Sequence, residues 1–351
     1  MGLEFDRSLQ VTYRVADEVL PGIRRVVAEN PGPYTFLGTA TFIVGTGEVA
    51  VIDPGPADET HIDALLAAVG TERISHILIT HTHPDHSPGA SLLKERTGAT
   101  IFGFGPHPSD DGYVERYGYE TEADREKARK AAEVAATSAD KTATDTATDP
   151  KLSEEHGDEA FAPDVLLAHG DLLAGPGWSV EAVHTPGHLA NHLCFALGDG
   201  TLFTGDHVMG WSTSVISPPG GNLSDYLASM ALLQERPDRV YVPTHGSPIS
   251  KPHDFVRGLV AHRGERTAQI IDQLRRGVTT IPDIVAALYI GVDPRLEKAA
   301  GRSVLAHLLD LVRRGDVTER ITDELEAVAP PGGTVHDREN YPRVRATFAL
   351  A

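Results

Sequence analysis

Residues 77–98 read ILITHTHPDHSPGASLLKERTG, and within six positions of that stretch stand His81, His83, Asp85 and His86. An apolar run precedes them and an amphipathic pattern closed by Gly98 follows, so the cluster falls where a strand ends and a helix begins. Ser87-Pro88 stands where a helix cap and first turn are expected. Three imidazoles and a carboxylate in one turn constrain the fold more than any local propensity does. They can share an ion only if separate rigid elements bring further ligands to the same place.

Three later segments do this. WSVEAVHTPGH ends in His188; the hairpin LCFALGDGTLFTGDH, turning at Asp199-Gly200, ends in Asp206-His207; DRVYVPTHG reaches His245. Each places its His or Asp just after a strand-like run. Alternate residues of an extended turn point the same way, so His81, His83 and His188 are expected to hold one metal. Asp85, His86 and His245 are expected to hold a second, with Asp206 as the bridge. Imidazole with carboxylate suits two Zn²⁺ ions, with iron or manganese as substitutes. Any one of the 17 histidines is ordinarily a surface or core residue. The ordered set H-x-H-x-D-H, T-P-G-H, G-D and T-H-G carries the metal reading. His184, His192 and His207 flank ligands, and strand alternation points them away from the metals.

Upstream, ATFIVGTGEVAVIDPG reads as two strands joined at Gly45-Thr46-Gly47. ADETHIDALLAAVG reads as a helix opening near Asp58, with Ile62, Leu65, Leu66 and Val69 on one side and Gly70 as its stop. After residue 250, PHDFVRGLVAHRGERTAQIIDQLRRG reads as a long helix, and TIPDIVAALY opens on a Thr280-x-x-Asp283 capping box. GRSVLAHLLDLVRRGDV is amphipathic, with Val304, Leu305, Leu308, Leu309 and Val312 inward. Three helices followed by strand-like ends suggest a winged helix.

THTHPDH, HTPGH, FTGDH and PTHG, with VIDPGP at Val51 to Pro56, resemble the five motifs of the metallo-beta-lactamase superfamily over roughly the first 250 residues. The resemblance implies an α/β fold, an αββα sandwich with two metals at one edge of its sheets. It also implies that Asp53 holds the metal loop without being a ligand. Antibiotic-degrading members lack the bridging aspartate that Asp206 would supply here. The oxygen-reducing di-iron branch has an acidic residue in place of His83, so hydrolysis is expected over redox chemistry. Glyoxalase II is similar in its metal motifs, with a helical C-terminal domain of another kind. A winged helix behind such a domain, together with DYLASMALLQ and the AHRGER region, resembles the branch named for beta-lactamase-like protein 2. Functions known there imply cleavage of single-stranded RNA or hydrolysis of acyl thioesters. The chain departs from that branch in Gly38-Thr39-Ala40-Thr41, where Gly-Thr-Asn-Thr is usual, and in a long acidic insertion.

The expected organisation is a catalytic domain over 1–252 with an insertion at about 108–163, a winged-helix-like domain over 253–329, and a C-terminal tail over 330–351. Residues 136–159 contain Leu152 as their one large apolar side chain and are expected to form a mobile loop. Charge bears on the substrate. The formal net charge is −19, and residues 255–351 carry 14 Lys/Arg against 13 Asp/Glu, so the acidity lies in the catalytic region. An acidic surface repels a polyanion. A small or carrier-bound ester or thioester is therefore the leading substrate class, and single-stranded RNA is the alternative. A non-enzymatic winged-helix DNA-binding role would use Arg302, Arg313 and Arg314. Arg313-Arg314 before Gly315 is also ordinary charge against a helix dipole. The one cysteine, Cys194, excludes an internal disulfide. The N-terminus lacks a secretory layout, and no apolar run approaches the roughly 18 residues of a membrane span, which reads as a cytoplasmic protein with no membrane partner. Two divalent ions about 3.5–4 Å apart would bring a bridging water toward a pKa of roughly 7, and Asp85 is the expected proton carrier to the leaving group.

Overall fold

The structure, a computed structural model, describes residues 3–108, 116–118, 157–293, 296–329 and 343–351. These fall into two units. The first comprises 3–108, 157–216 and 220–262, and the second comprises 116–118, 217–219 and the described residues from 263 onward.

In the first unit a seven-stranded sheet is laid out in chain order. Its strands are β1 (Asp17–Leu20), β2 (Ile23–Val27), β3 (Ala40–Val44), β4 (Glu48–Ile52), β5 (Arg73–Leu78), β6 (Thr100–Gly103) and β7 (Val165–Leu166). The first four pair antiparallel and β4 to β7 run parallel. A second sheet has the order β12-β11-β10-β9-β8. It is built from β8 (Leu172–Gly175), β9 (Trp178–His184), β10 (Leu193–Leu197), β11 (Thr201–Gly205) and β12 (Val240–Pro243), antiparallel except for the β11–β12 pair.

Side-chain alternation divides the central strands between two cores. Ala40, Phe42 and Val44 of β3, with Ala50 and Ile52 of β4, pack between the sheets. There Phe42 meets Phe203 of β11 at a centroid distance of 5.2 Å. Ile43, Val49 and Val51 face the other way, toward α1 (Glu59–Val69) and α2 (Gly89–Thr97). Against the second sheet, the Tyr241 hydroxyl of β12 donates to the Leu233 carbonyl of α3 (Leu223–Glu235). The result is the αββα sandwich that the motifs imply.

The helix ends follow local chemistry in one case and long-range chemistry in the other. Asp58 caps α1 by accepting from Thr60 N, and Gly70 stops the helix with φ +64°. α2 starts after Pro88 with no side-chain cap. Ser87, expected to cap it, instead donates its hydroxyl to Asp158 Oδ2 at 2.8 Å, a partner 71 residues away. The same contact holds Asp158, near the far end of the expected insertion, against α2. Residues 157–163 belong to the sandwich: Asp158 N donates to the Thr82 carbonyl, and Phe161 is buried in the helix-side core. The expected mobile loop lies, up to residue 156, outside the described residues.

α4 (Pro252–Arg275) begins at the expected domain boundary, yet its residues up to His262 belong to the sandwich and those from Arg263 to the second unit. No glycine cap or proline interrupts it there. The second unit adds α5 (Ile281–Leu288), α6 (Glu297–Arg314), β13 (Val317–Ala327) and β14 (Arg343–Leu350), the last two antiparallel. Thr280 caps α5, accepting from Asp283 N and donating to the Asp283 carboxylate at 2.6 Å. Val304, Leu305 and Leu308 of α6 are buried, with Leu309 and Val312 partly so. Residues 343–350, expected within a tail, form β14. Val344, Ala346 and Phe348 alternate into the core, which makes this segment part of the fold. No helix among the described residues is long and apolar enough to cross a membrane.

Candidate metal centre

Strands β4 and β5 are parallel, β11 and β12 are parallel, and β9 and β11 both run antiparallel to β10. The segments that leave their C-terminal ends carry Asp53, the 81–86 cluster, His188, Asp206 and His245. All seven ligand candidates meet there. His81 Nε2 lies 3.0 Å from His83 Nδ1 and 3.3 Å from His188 Nε2, and the last two atoms are 3.0 Å apart. Asp85 Oδ2 is 3.2 Å from His86 Nε2 and 3.3 Å from His245 Nε2. Asp206 Oδ2 lies 3.5 Å from His86 Nε2, 3.4 Å from His245 Nε2 and 4.0 Å from His188 Nε2, so it stands between the two groups.

These separations fit cations. A tetrahedral site with nitrogen ligands at roughly 2.0–2.1 Å spaces its ligand atoms about 3.3 Å apart. The tautomers fit as well. His188 Nδ1 donates to the Val215 carbonyl at 2.6 Å and His245 Nδ1 to the Gly38 carbonyl at 3.1 Å, while His86 Nδ1 donates to Asp53 Oδ2 at 2.9 Å. The Thr80 hydroxyl spends its proton on Asp53 Oδ2 at 2.6 Å, so it accepts from His81 Nδ1 at 3.0 Å. Four imidazoles therefore direct Nε2 to the centre, the atom a metal takes once it is free of a proton. Asp206 Oδ1 is buried without a hydrogen-bond partner. Three overlapping groups, His81-His83-His188, His81-His86-Asp206 and Asp85-His86-His245, are compatible with a dinuclear metal site.

The electrostatics point the same way. Burial, reinforced by neighbouring imidazoles, holds His81 and His83 well below the usual histidine range, and burial lowers His188 too. Burial also opposes charge on His86 and His245, but there it loses. Asp85, Asp206 and Asp53 raise His86 well above its ordinary value, and Asp206 with Asp85 pushes His245 up to about 10. Despite their own burial, Asp85 and Asp206 are held well below the carboxylate range by His86 and His245. In the metal-free protein, protons on His86 and His245 answer a negative field that a divalent cation would satisfy instead.

Asp53 braces both groups without joining either. Besides His86 and the Thr80 hydroxyl, it accepts from Thr80 N at 2.8 Å. Its backbone is left-handed, φ +49°, and its carbonyl accepts from the Thr41 hydroxyl at 2.6 Å. Thr41 in turn meets His61 Nε2 at 2.9 Å. Asn30, Thr39, Thr41, Thr80 and His61 are supporting residues that sequence reasoning does not find. The one available signal is the alternation of threonines in Gly38-Thr39-Ala40-Thr41. Of the three histidines left out, His184 stacks on Phe104 at 4.1 Å. His192 packs behind His81 at 5.1 Å, with Nδ1 2.9 Å from the Thr185 hydroxyl, and His207 lies against His192 and Tyr226. None of the three belongs to either ligand group. Cys194 is buried in β10, and desolvation pushes its thiol up to about 12.

Comparison with known proteins agrees with this geometry. Residues 33–245 match the family described as Metallo-beta-lactamase superfamily, and residues 280–323 match the Beta-lactamase associated winged helix domain. The chain is 28% identical to a Beta-lactamase-like protein 2 homolog of Drosophila melanogaster, over 83% of this chain and 88% of that one. It is 26% identical to an Atrochrysone carboxyl ACP thioesterase of Aspergillus terreus, over 81% and 77% of the two chains. A metallo-beta-lactamase family protein from Thermus thermophilus shares the fold, with a TM-score of 0.63 at 23% identity over 93% of this chain and 100% of that one. With the family matched over more than half of its length, the chain belongs to the metallo-beta-lactamase superfamily and is a hydrolase of the kind that carries a C-terminal winged helix.

Proposed function

We propose that the protein is a binuclear hydrolase of small or carrier-bound acyl thioesters or esters. In this reading His81, His83 and His188 hold one Zn²⁺, Asp85, His86 and His245 hold the other, and Asp206 is shared. The observation that carries it is the position of Asp206 Oδ2, within 3.5 Å of two ligand atoms of one group and 4.0 Å of a ligand atom of the other. When bound, two such ions supply Lewis acidity for the carbonyl under attack and lower the pKa of a water toward about 7. The chain's own residues do the rest. Carbonyls at Val215 and Gly38 and the Asp53 carboxylate fix the imidazoles. Asp85, its side chain 19% exposed against 4% or less for His86, His188, Asp206 and His245, is the carboxylate in reach of solvent and relays the proton to the departing thiolate or alkoxide. A domain order of sandwich then winged helix, in a cytoplasmic setting, completes the proposal.

A carrier-bound thioester is favoured because three relatives bear the name atrochrysone carboxyl ACP thioesterase and because the sandwich is acidic. The arginines that a nucleic-acid role would use have internal partners. Arg302 donates to the Ser217 hydroxyl, Arg313 pairs with Asp310, and Arg314 pairs with Asp310 and Asp316. The test is a paired assay of one metal-loaded preparation, with thiol release from acyl-carrier-protein thioesters on one side and cleavage of labelled single-stranded RNA on the other. Thioester turnover that disappears in Asp206→Ala is the expected result. RNA cleavage without thioester turnover would overturn the substrate class.

A further inference from the structure

Thr39 precedes β3, is fully buried, and reaches Asp85 from outside the ligand set. Its surroundings fix the direction of its one hydroxyl proton. Thr39 N donates to Asn30 Oδ1 at 2.9 Å, which turns the Asn30 amide so that Nδ2 faces the Thr39 hydroxyl and donates to it at 3.0 Å. With that lone pair engaged, the Thr39 proton goes to Asp85 Oδ2, 2.7 Å away. This is the same oxygen that lies 3.2 Å from His86 Nε2 and 3.3 Å from His245 Nε2.

We propose that Asn30 and Thr39 act as positioning residues that fix the orientation of the Asp85 carboxylate, holding one oxygen toward His86 and His245 as the metal ligand and leaving the other to carry the proton. The inference rests on the metal reading above. The terminal torsion of a carboxylate is broad, so Asp85, more exposed than the ligands around it, has no intrinsic means of keeping one oxygen directed inward. The Thr39 hydroxyl supplies one. Its orientation is set by the Asn30 amide, which the Thr39 backbone N–H in turn holds in one sense. The departure at Ala40 leaves the device intact: the 40 side chain turns to the inter-sheet core, while Thr39 and Thr41 face the centre and serve Asp85 and Asp53.

The test is a titration of metal-free protein with Co²⁺, followed by visible absorption, and with Zn²⁺ against a chelator. Thr39→Val keeps the shape of the side chain and removes the hydroxyl; Thr39→Ser keeps the hydroxyl and loses a methyl. Wild type should take two equivalents. Thr39→Val should bind the second about 10–100-fold more weakly, with an altered cobalt spectrum and the first equivalent unchanged. Thr39→Ser should restore both. Should Thr39→Val fail to give a cooperative melt, Asn30→Ala carries the test, with a weakened second equivalent expected and wild-type affinity contradicting the proposal. Wild-type second-site binding by Thr39→Val, or a Thr39→Ser variant as weak as it, would show that Thr39 only packs. A wild-type chain that binds no Co²⁺ would instead remove the metal reading and the proposal with it.

Discussion

Replacing Asp53 with asparagine should loosen both groups of the metal centre while leaving the backbone in place. Asparagine tolerates the left-handed conformation that Asp53 adopts at φ +49°, so the change is confined to charge and acceptor capacity. The carboxylate accepts from Thr80 N at 2.8 Å, from the Thr80 hydroxyl at 2.6 Å, from His86 Nδ1 at 2.9 Å and from the Thr244 hydroxyl at 3.4 Å. An amide can keep its oxygen on Thr80 N, but its NH₂ then faces His86 N–H donor to donor. Two charge-assisted hydrogen bonds at about 1.5–3 kcal/mol each are at stake, and the Thr80 hydroxyl can recover part by turning to accept. A destabilisation of roughly 2–4 kcal/mol follows. Loss of such an outer partner typically weakens metal binding by about 10–100-fold. Urea unfolding of metal-free protein gives the first quantity and chelator competition gives the second. A variant within about 0.5 kcal/mol of wild type and with unchanged metal affinity would refute the role assigned to Asp53.

Burial lowers His61 to about 4 against an ordinary 6.5, so its stabilising contribution is fully present above pH 6.5 and is lost as pH falls toward 4, by roughly 3 kcal/mol. Acid unfolding of His61→Gln should lose that part of the pH slope, and an unaltered slope would contradict it. Cys194, raised to about 12, stays a thiol at pH 8 and should resist alkylating reagents until the protein is unfolded; rapid labelling of native protein would show that the site is open. Arg302→Ala with Arg313→Ala should leave the apparent affinity for substrate and its shallow salt dependence nearly unchanged, whereas a steep salt slope that the pair flattens would favour RNA.

The ligand candidates are legible because they sit at fixed offsets from strand ends, where sequence order becomes spatial convergence. The apolar runs of β3 and β4 are legible as strands, but their division between two cores is visible only once both sheets and α1 are in place. Ser87 misleads because its competing partner, Asp158, lies 71 residues on and no local rule includes it. β14 escapes because Val344, Ala346 and Phe348 are too short an alternation to mark a strand without β13 beside them. The threonine alternation around Ala40 assigns Thr39 no role: a threonine before a strand is ordinary until Asn30 and Asp85, nine residues before it and 46 after, close around it.

The claim on which the rest depends is that hydrolysis requires two metals held through Asp206. Demetallated wild type and Asp206→Ala, each checked for a cooperative melt, should be titrated with Zn²⁺ while thiol release from an acyl-carrier thioester is followed. Wild type should be inactive at the start and reach its plateau at two equivalents per chain, and Asp206→Ala should remain inactive throughout. Full turnover by the demetallated wild type, or by Asp206→Ala, would contradict the account.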